Sequence, residues 1–184
     1  MENLQKGMNL IAEPFLSDPS FARTVVVLCA YDEKDGCFGF VINKLTNKTL
    51  KDLKIGLEDF SWPLHEGGPV QKDTLHYLHQ YPEFFPDAVK VADDLFWGGD
   101  FDLLVSLVNE GKIERHKIKF FLGYSGWDAD QLEAEMEEHS WILSPATYQL
   151  ALQTKADDIW RQSLYDLGGK YKAFANFPTD PQLN

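Results

Sequence analysis

The sequence predicts an α+β fold built on a curved, mainly antiparallel sheet. Two observations carry this. Residues 24–31 (TVVVLCAY) and 37–42 (CFGFVI) are apolar, β-branched runs on either side of Asp32–Gly36, the pattern of a β-hairpin with glycine in its loop. Further strand-like and helical stretches then mix without regular βαβ alternation, which argues against a parallel α/β sheet.

The hairpin strands are apolar on both faces, so they belong at the centre of the sheet. Ser17-Asp18-Pro19 before them reads as a turn or helix start, and Asn43-Lys44-Leu45 after them leaves the sheet. Residues 50–57 form a short helix or an irregular connection. His65 to Val70 reads as a glycine turn leading into the strand Leu75–His79, and residues 88–91 are a further short strand. Asp100 is a good N-cap for an amphipathic helix over 101–108, with Gly111 as its stop. Residues 118–124 are a strand. A last helix spans 157–167, turning Ile159, Trp160, Leu164 and Leu167 inward and ending at Gly168. From Gly169 the chain reads as a surface tail. The whole, 1–184, is of single-domain size.

Composition narrows the partners. There are 17 Lys and Arg against 29 Asp and Glu, a net charge of −12. Such a chain is repelled by phosphate backbones and anionic lipid, so no direct nucleic-acid or membrane contact is expected. The start has no apolar run of signal-peptide length, and no stretch matches a membrane span. A cytoplasmic protein is the expectation, with Cys29 and Cys37 as reduced structural thiols that could be neighbours across the hairpin.

The segment Gly123-Tyr124-Ser125-Gly126-Trp127 resembles a nucleophile elbow, a strand, a sharp serine turn and a helix. The G-x-S-x-G spacing fails, because Trp127 stands where the second glycine belongs. A structural account covers the same residues. Asp128 as N-cap puts Gln131 at the third helical position, a capping box, and pairs Trp127 with Leu132 as a hydrophobic staple. Leu132 and Met136 then form the buried stripe of an acidic helix.

The remaining candidates are weak. Gly98-Gly99 precedes a helix, but Asp100 and Asp102 already place negative charge where a phosphate would sit. His76 and His79 point oppositely on a strand and cannot chelate together. No zinc spacing is present, so neither a metal nor a cofactor is expected.

The same stretch carries a family resemblance. Gly123-Tyr124, Gly126-Trp127, Gln131-Leu132-Glu133 and Trp141 are similar to the AlgH/YqgE family of bacterial cytoplasmic proteins. Leu10-Ile11-Ala12, Pro14, Leu16, Asp18, Phe21, Arg23 and Val25-Val26 resemble its N-terminal signature. Gly39, Val41 to Lys44, Gly67 to Val70, Leu78-His79 and Trp160-Arg161 agree as well, so nearly the whole chain is covered. Tyr31 stands where the pattern has histidine, and Leu45 where it has proline. The resemblance implies a barrel-like, strongly curved sheet flanked by helices. It implies no settled biochemical activity, only the transcriptional regulation behind the family's name.

Three functions compete. The first is a binding or regulatory module acting through a protein partner or small-molecule ligand, with Asn43, Gly67, Gly68, His79, Tyr124, Ser125 and Trp127 lining its surface. The second is a hydrolase using Ser125 and His79, which requires the two within hydrogen-bond reach. The third, direct DNA binding, is opposed by the net charge and by the lack of a helix-turn-helix pattern.

Overall fold

The computed structural model describes residues 4–177. Ten strands form one strongly curled, almost wholly antiparallel sheet: β1 (Met8–Ala12), β2 (Val25–Asp32), β3 (Gly36–Val41), β4 (Leu45–Thr49), β5 (Pro63–Glu66), β6 (Val70–His79), β7 (Val89–Ala92), β8 (Leu95–Trp97), β9 (Ile118–Trp127) and β10 (Trp141–Pro145). The helices are α1 (Phe101–Asn109), α2 (Gln131–Glu137), α3 (Ala156–Leu167) and α4 (Gly169–Phe174), with a π-helical turn at Gln149–Gln153. Strand order along the sheet is β10-β1-β2-β3-β9-β6-β8-β7, with β4 on β5 and β5 on β9.

The predicted hairpin is central. β2 pairs with β3 from Val26↔Val41 to Asp32↔Gly36, and Gly36 turns at φ +86°. Both strands are buried on both faces because different cores lie on each side. Val25, Val27, Phe40 and Ile42 pack with Ile159, Trp160 and Leu164 of α3. Val26, Leu28 and Val41 pack on the other side with Trp127, Leu132 and Trp141. Cys29 belongs to the first of these cores and Cys37 to the second, so the thiols lie on opposite faces and are not neighbours. A third core, under α1, joins Leu104, Leu107 and Val108 to Leu64, Tyr77 and Phe120.

β9 organises the molecule. Its first half lies between β6, antiparallel, and β5, parallel; its last three residues pair with β3. Gly123, at φ +69°, marks the crossing. The curl follows from one long strand serving both halves of the sheet.

Several elements differ from the sequence reading. β9 does not end at residue 124 but runs through Ser125 to Trp127, so no turn presents the serine. Asn43-Lys44-Leu45 leads into β4, and His65-Glu66 closes β5 instead of forming a turn. The N-cap of α2 is Asp130, in a left-handed conformation and without a side-chain cap, not Asp128. One half of the capping box survives: Gln131 Oε1 accepts from Asp128 N–H at 3.1 Å. Trp127 and Leu132 share a core as the staple requires. Asp100 caps α1 as expected, accepting from Leu103 N–H at 2.8 Å. Residues 169–174 of the expected surface tail form α4, none of them buried, and Ala175 after it is buried; the tail's end lies outside the described residues. Among the described residues, no helix is long and apolar enough to cross a membrane.

Candidate functional site

Ser125 is fully buried in mid-strand, opposite Gly39 of β3. Its hydroxyl donates to the carbonyl of Gly67 over 3.1 Å. Gly67 also accepts from Val41 N–H at 2.8 Å and donates to Leu122 O at 2.9 Å, tying the β5–β6 link to β3 and β9. A Cβ on Gly67 would stand 2.3 Å from Gly123 O, and one on Gly68 2.2 Å from the Tyr124 carbonyl. The glycine pair is there because backbone crosses backbone.

His79 lies on β6, opposite Ile118 at the other end of β9. Seven residues of β9 separate it from the level of Ser125, roughly 20 Å of extended chain. Nδ1 accepts from Tyr81 N–H at 3.1 Å, so Nε2 carries the proton and donates to Gly98 O at 2.8 Å. Burial holds its pKa below the ordinary range, against the pull of Gly98 and Glu83. Neither the serine nor the histidine has a free role in proton transfer, and the two do not meet. Asn43 is likewise committed to backbone: Oδ1 accepts from Val25 N–H and Nδ2 donates to Arg23 O, each at 2.9 Å.

Of the seven residues singled out, Tyr124 and Trp127 line a cleft of about 560 Å³ at the β3–β9 edge; Gly68 packs against the Tyr124 backbone, and neither it nor Gly67 nor Ser125 lines the cleft. Asn43 and His79 do not line it. Its wall is a circuit of four rings. Phe38 meets Trp97 edge-on at 4.8 Å, Trp97 lies 6.4 Å from His76, His76 6.0 Å from Tyr124, and Tyr124 6.0 Å from Phe38. Phe40 underlies them, 5.1 Å from His76 and 6.0 Å from Phe38. The exposed rim carries two carboxylates, Asp35 and Asp128.

His76 is the wall's polar member. Thr74 Oγ1 donates to Gln71 O at 2.8 Å and so accepts, at 3.0 Å, from His76 Nε2–H. Nδ1 is left as an acceptor without a partner among the described residues. Burial lowers the ring's pKa, keeping it neutral. The cleft therefore offers π faces, a nitrogen acceptor and carboxylates, and no side-chain donor beyond the tyrosine hydroxyl and the indole N–H of Trp97. Trp127 Nε1 is already given to Glu135 at 2.9 Å. Among the described residues, no cluster of three or more His, Cys, Asp or Glu is placed to hold a metal ion.

Phe38, His76 and Trp97 were not apparent from the sequence as one wall. They come from β3, β6 and β8, and only the curl of the sheet brings them together. The available signal was Phe38 alternating with buried neighbours in the hairpin strand.

The profile of the AlgH-like family matches residues 9–172. A UPF0301 protein of Cytophaga hutchinsonii is 43% identical over 182 residues, covering 98% of this chain and all of that one. A UPF0301 protein of Chlorobaculum tepidum is 41% identical over 183 residues, covering 100% and 97%. The solution structure of the AlgH protein from Pseudomonas aeruginosa superposes with a TM-score of 0.74 at 26% identity, covering 97% of this chain and 98% of that one. The crystal structure of DIP2367 from Corynebacterium diphtheriae gives 0.79 at 17% identity, covering 96% and 94%, and so shares the fold.

Proposed function

This chain belongs to the AlgH-like family, and from that premise we propose that it is a binding module whose aromatic cleft receives a cationic group. The four-ring wall of Phe38, His76, Trp97 and Tyr124 under an acidic rim is the observation that supports this. Ring faces attract alkylammonium and guanidinium groups, each contact contributing about 0.5–2 kcal/mol, more as water is excluded. Asp35 and Asp128 add charge complementarity, and the unpartnered Nδ1 of His76 can accept from an N–H donor. A net charge of −12 steers cations toward the surface. The occupant is an arginine or lysine side chain of a protein partner, or a small organic cation. Any effect on transcription would then run through such a partner, since the charge disfavours DNA. The hydrolase reading has lost its support, because Ser125, near the end of β9, and His79, on β6 opposite the start of β9, do not meet.

Titration of the full chain with N-acetyl-arginine amide and with tetramethylammonium, followed by NMR of the indole N–H signals, tests the reading. Saturable shifts at Trp97 that weaken in Trp97→Ala and Tyr124→Ala are expected, with neutral N-acetyl-citrulline amide binding less. Equal binding of the neutral analogue, or no shift at Trp97, would overturn it.

A further inference from the structure

We propose a second site: the cavity between β5, the start of β9 and the N-terminus of α3 binds a small phosphorylated molecule through Arg115, Lys119 and Lys155. It rests on side chains unrelated to the aromatic cleft. The cavity is of about 560 Å³ and gathers positive charge in a strongly negative chain. Arg115, Lys119 and Lys155 line it together with His65 and His116, and the one acidic lining residue is Asp157.

Lys119 is the decisive group. It is 8% exposed, and among the described residues its ammonium bonds only to the carbonyl of Ile42, at 3.2 Å. Among the described residues no carboxylate pairs with it, so a buried positive charge lines the cavity without an anionic partner. A buried charge is costly unless paired. An anion entering the cavity would complete the pair. Arg115 and Lys155 are exposed and make no ion pair among the described residues, so both are available to the same anion. His116 is engaged with Glu114 at 3.6 Å. His65 gives Nδ1–H to Phe120 O at 3.3 Å.

The backbone adds donors. Lys155 stands at the N-cap of α3, a twelve-residue helix, with no side-chain cap. The Asp158 amide is given to Lys155 O at 2.9 Å, which leaves those of Ala156 and Asp157, and the first-turn carboxylates Asp157 and Asp158 oppose an anion there, so the side chains of Arg115, Lys119 and Lys155 carry the binding. The donor count exceeds what one carboxylate can accept and suits the terminal oxygens of a phosphomonoester. Trp62, Phe120 and Leu152 supply an apolar wall for the rest of the ligand.

The test is calorimetric titration of the full chain with phenyl phosphate and with inorganic phosphate, repeated on Arg115→Ala, Lys155→Ala and Lys119→Met. Saturable binding is expected, tighter for phenyl phosphate, falling at least roughly tenfold in Arg115→Ala and in Lys119→Met. Arg115 and Lys155 are exposed, so their variants fold whatever the fate of Lys119→Met. Trp97→Ala binds phenyl phosphate as the parent does, which separates this site from the cleft. No saturable binding, or equal affinity in Arg115→Ala and Lys155→Ala, would sink the proposal.

Discussion

The hydroxyl of Ser125 donates a hydrogen bond to the carbonyl of Gly67, 3.1 Å away, inside the sheet. A serine so placed is a strut. Ser125→Ala is expected to cost about 1 kcal/mol, because Gly67 O keeps its bond from Val41 N–H. Gly68→Ala is expected to cost roughly 3 kcal/mol or more, since its Cβ would enter the Tyr124 backbone at φ +155°. Urea unfolding of the two variants measures both; a larger loss for the serine variant would refute the assignment.

Glu135 holds two indoles at once. Its Oε2 accepts from Trp127 Nε1 at 2.9 Å and from Trp141 Nε1 at 2.8 Å. Glu135→Ala strands two donors and is expected to cost on the order of 2–3 kcal/mol. Glu135→Gln keeps an acceptor oxygen and loses less. Near-ultraviolet circular dichroism, with its tryptophan bands, should follow the same order as the stability.

Acid destabilises this fold through its buried histidines. Burial, then the charge of Lys119, depresses His65 to about 4, while the Phe120 carbonyl pulls the other way. Burial depresses His79 as well. A depressed folded pKa means that the unfolded chain binds more protons below the ordinary value of about 6.5. Stability is thus fully present above that pH and falls as the pH drops below it, for His65 down to about 4, by up to about 1.4 kcal/mol per pH unit for each histidine. Unfolding midpoints measured across this range should decline steeply; a flat profile would contradict the burial of both rings.

Lys119 trades stability for charge. Its ammonium is held down to about 8 by burial. Lys119→Met, of similar volume, is expected to stabilise the unliganded protein by about 1–2 kcal/mol despite losing the bond to Ile42 O. It should also remove the rise in stability between about pH 8 and 10.5 that a depressed lysine confers. Denaturation of both forms in alkaline buffer decides this.

The thiols should be inert. Cys29 and Cys37 belong to cores on opposite faces of the sheet, and burial pushes both pKa values up, Cys37 to about 12. Native protein treated with oxidant is expected to show no internal disulfide by mass spectrometry, and maleimide labelling should require unfolding.

Much of the fold was legible because local chemistry and tertiary context agree. The β2–β3 hairpin declared itself by two apolar runs around a glycine loop, α1 by Asp100, and α3 by its inward stripe. What escaped was held by pairing alone. β4 (LTNKT) and β5 (PLHE) have weak strand composition and exist because β9 and each other supply their hydrogen bonds. The two glycines near Ser125 read as a turn, yet both sit in β9: a Cβ on Gly123 would stand 2.6 Å from Val70 O, and one on Gly126 3.3 Å from the Tyr124 ring. At the cleft, Tyr124 and Trp127 were legible from one motif. Phe38, His76 and Trp97 were not, because sequence spacing carries no record of how three strands curl.

The role of β9 as common partner to β3, β5 and β6 has a consequence for synthesis. The chain leaves the ribosome from its N-terminus, so those three strands emerge before the strand that joins them. β1 waits longer for its outer neighbour β10; Asn9 and Ser144, bonded across that pair, are 135 positions apart. Until residue 127 has cleared the exit tunnel, the nascent chain carries open sheet edges and apolar faces with nothing to close them. Completion of this protein is an event of its last third, and a chain stalled before β9 is one for chaperones to hold.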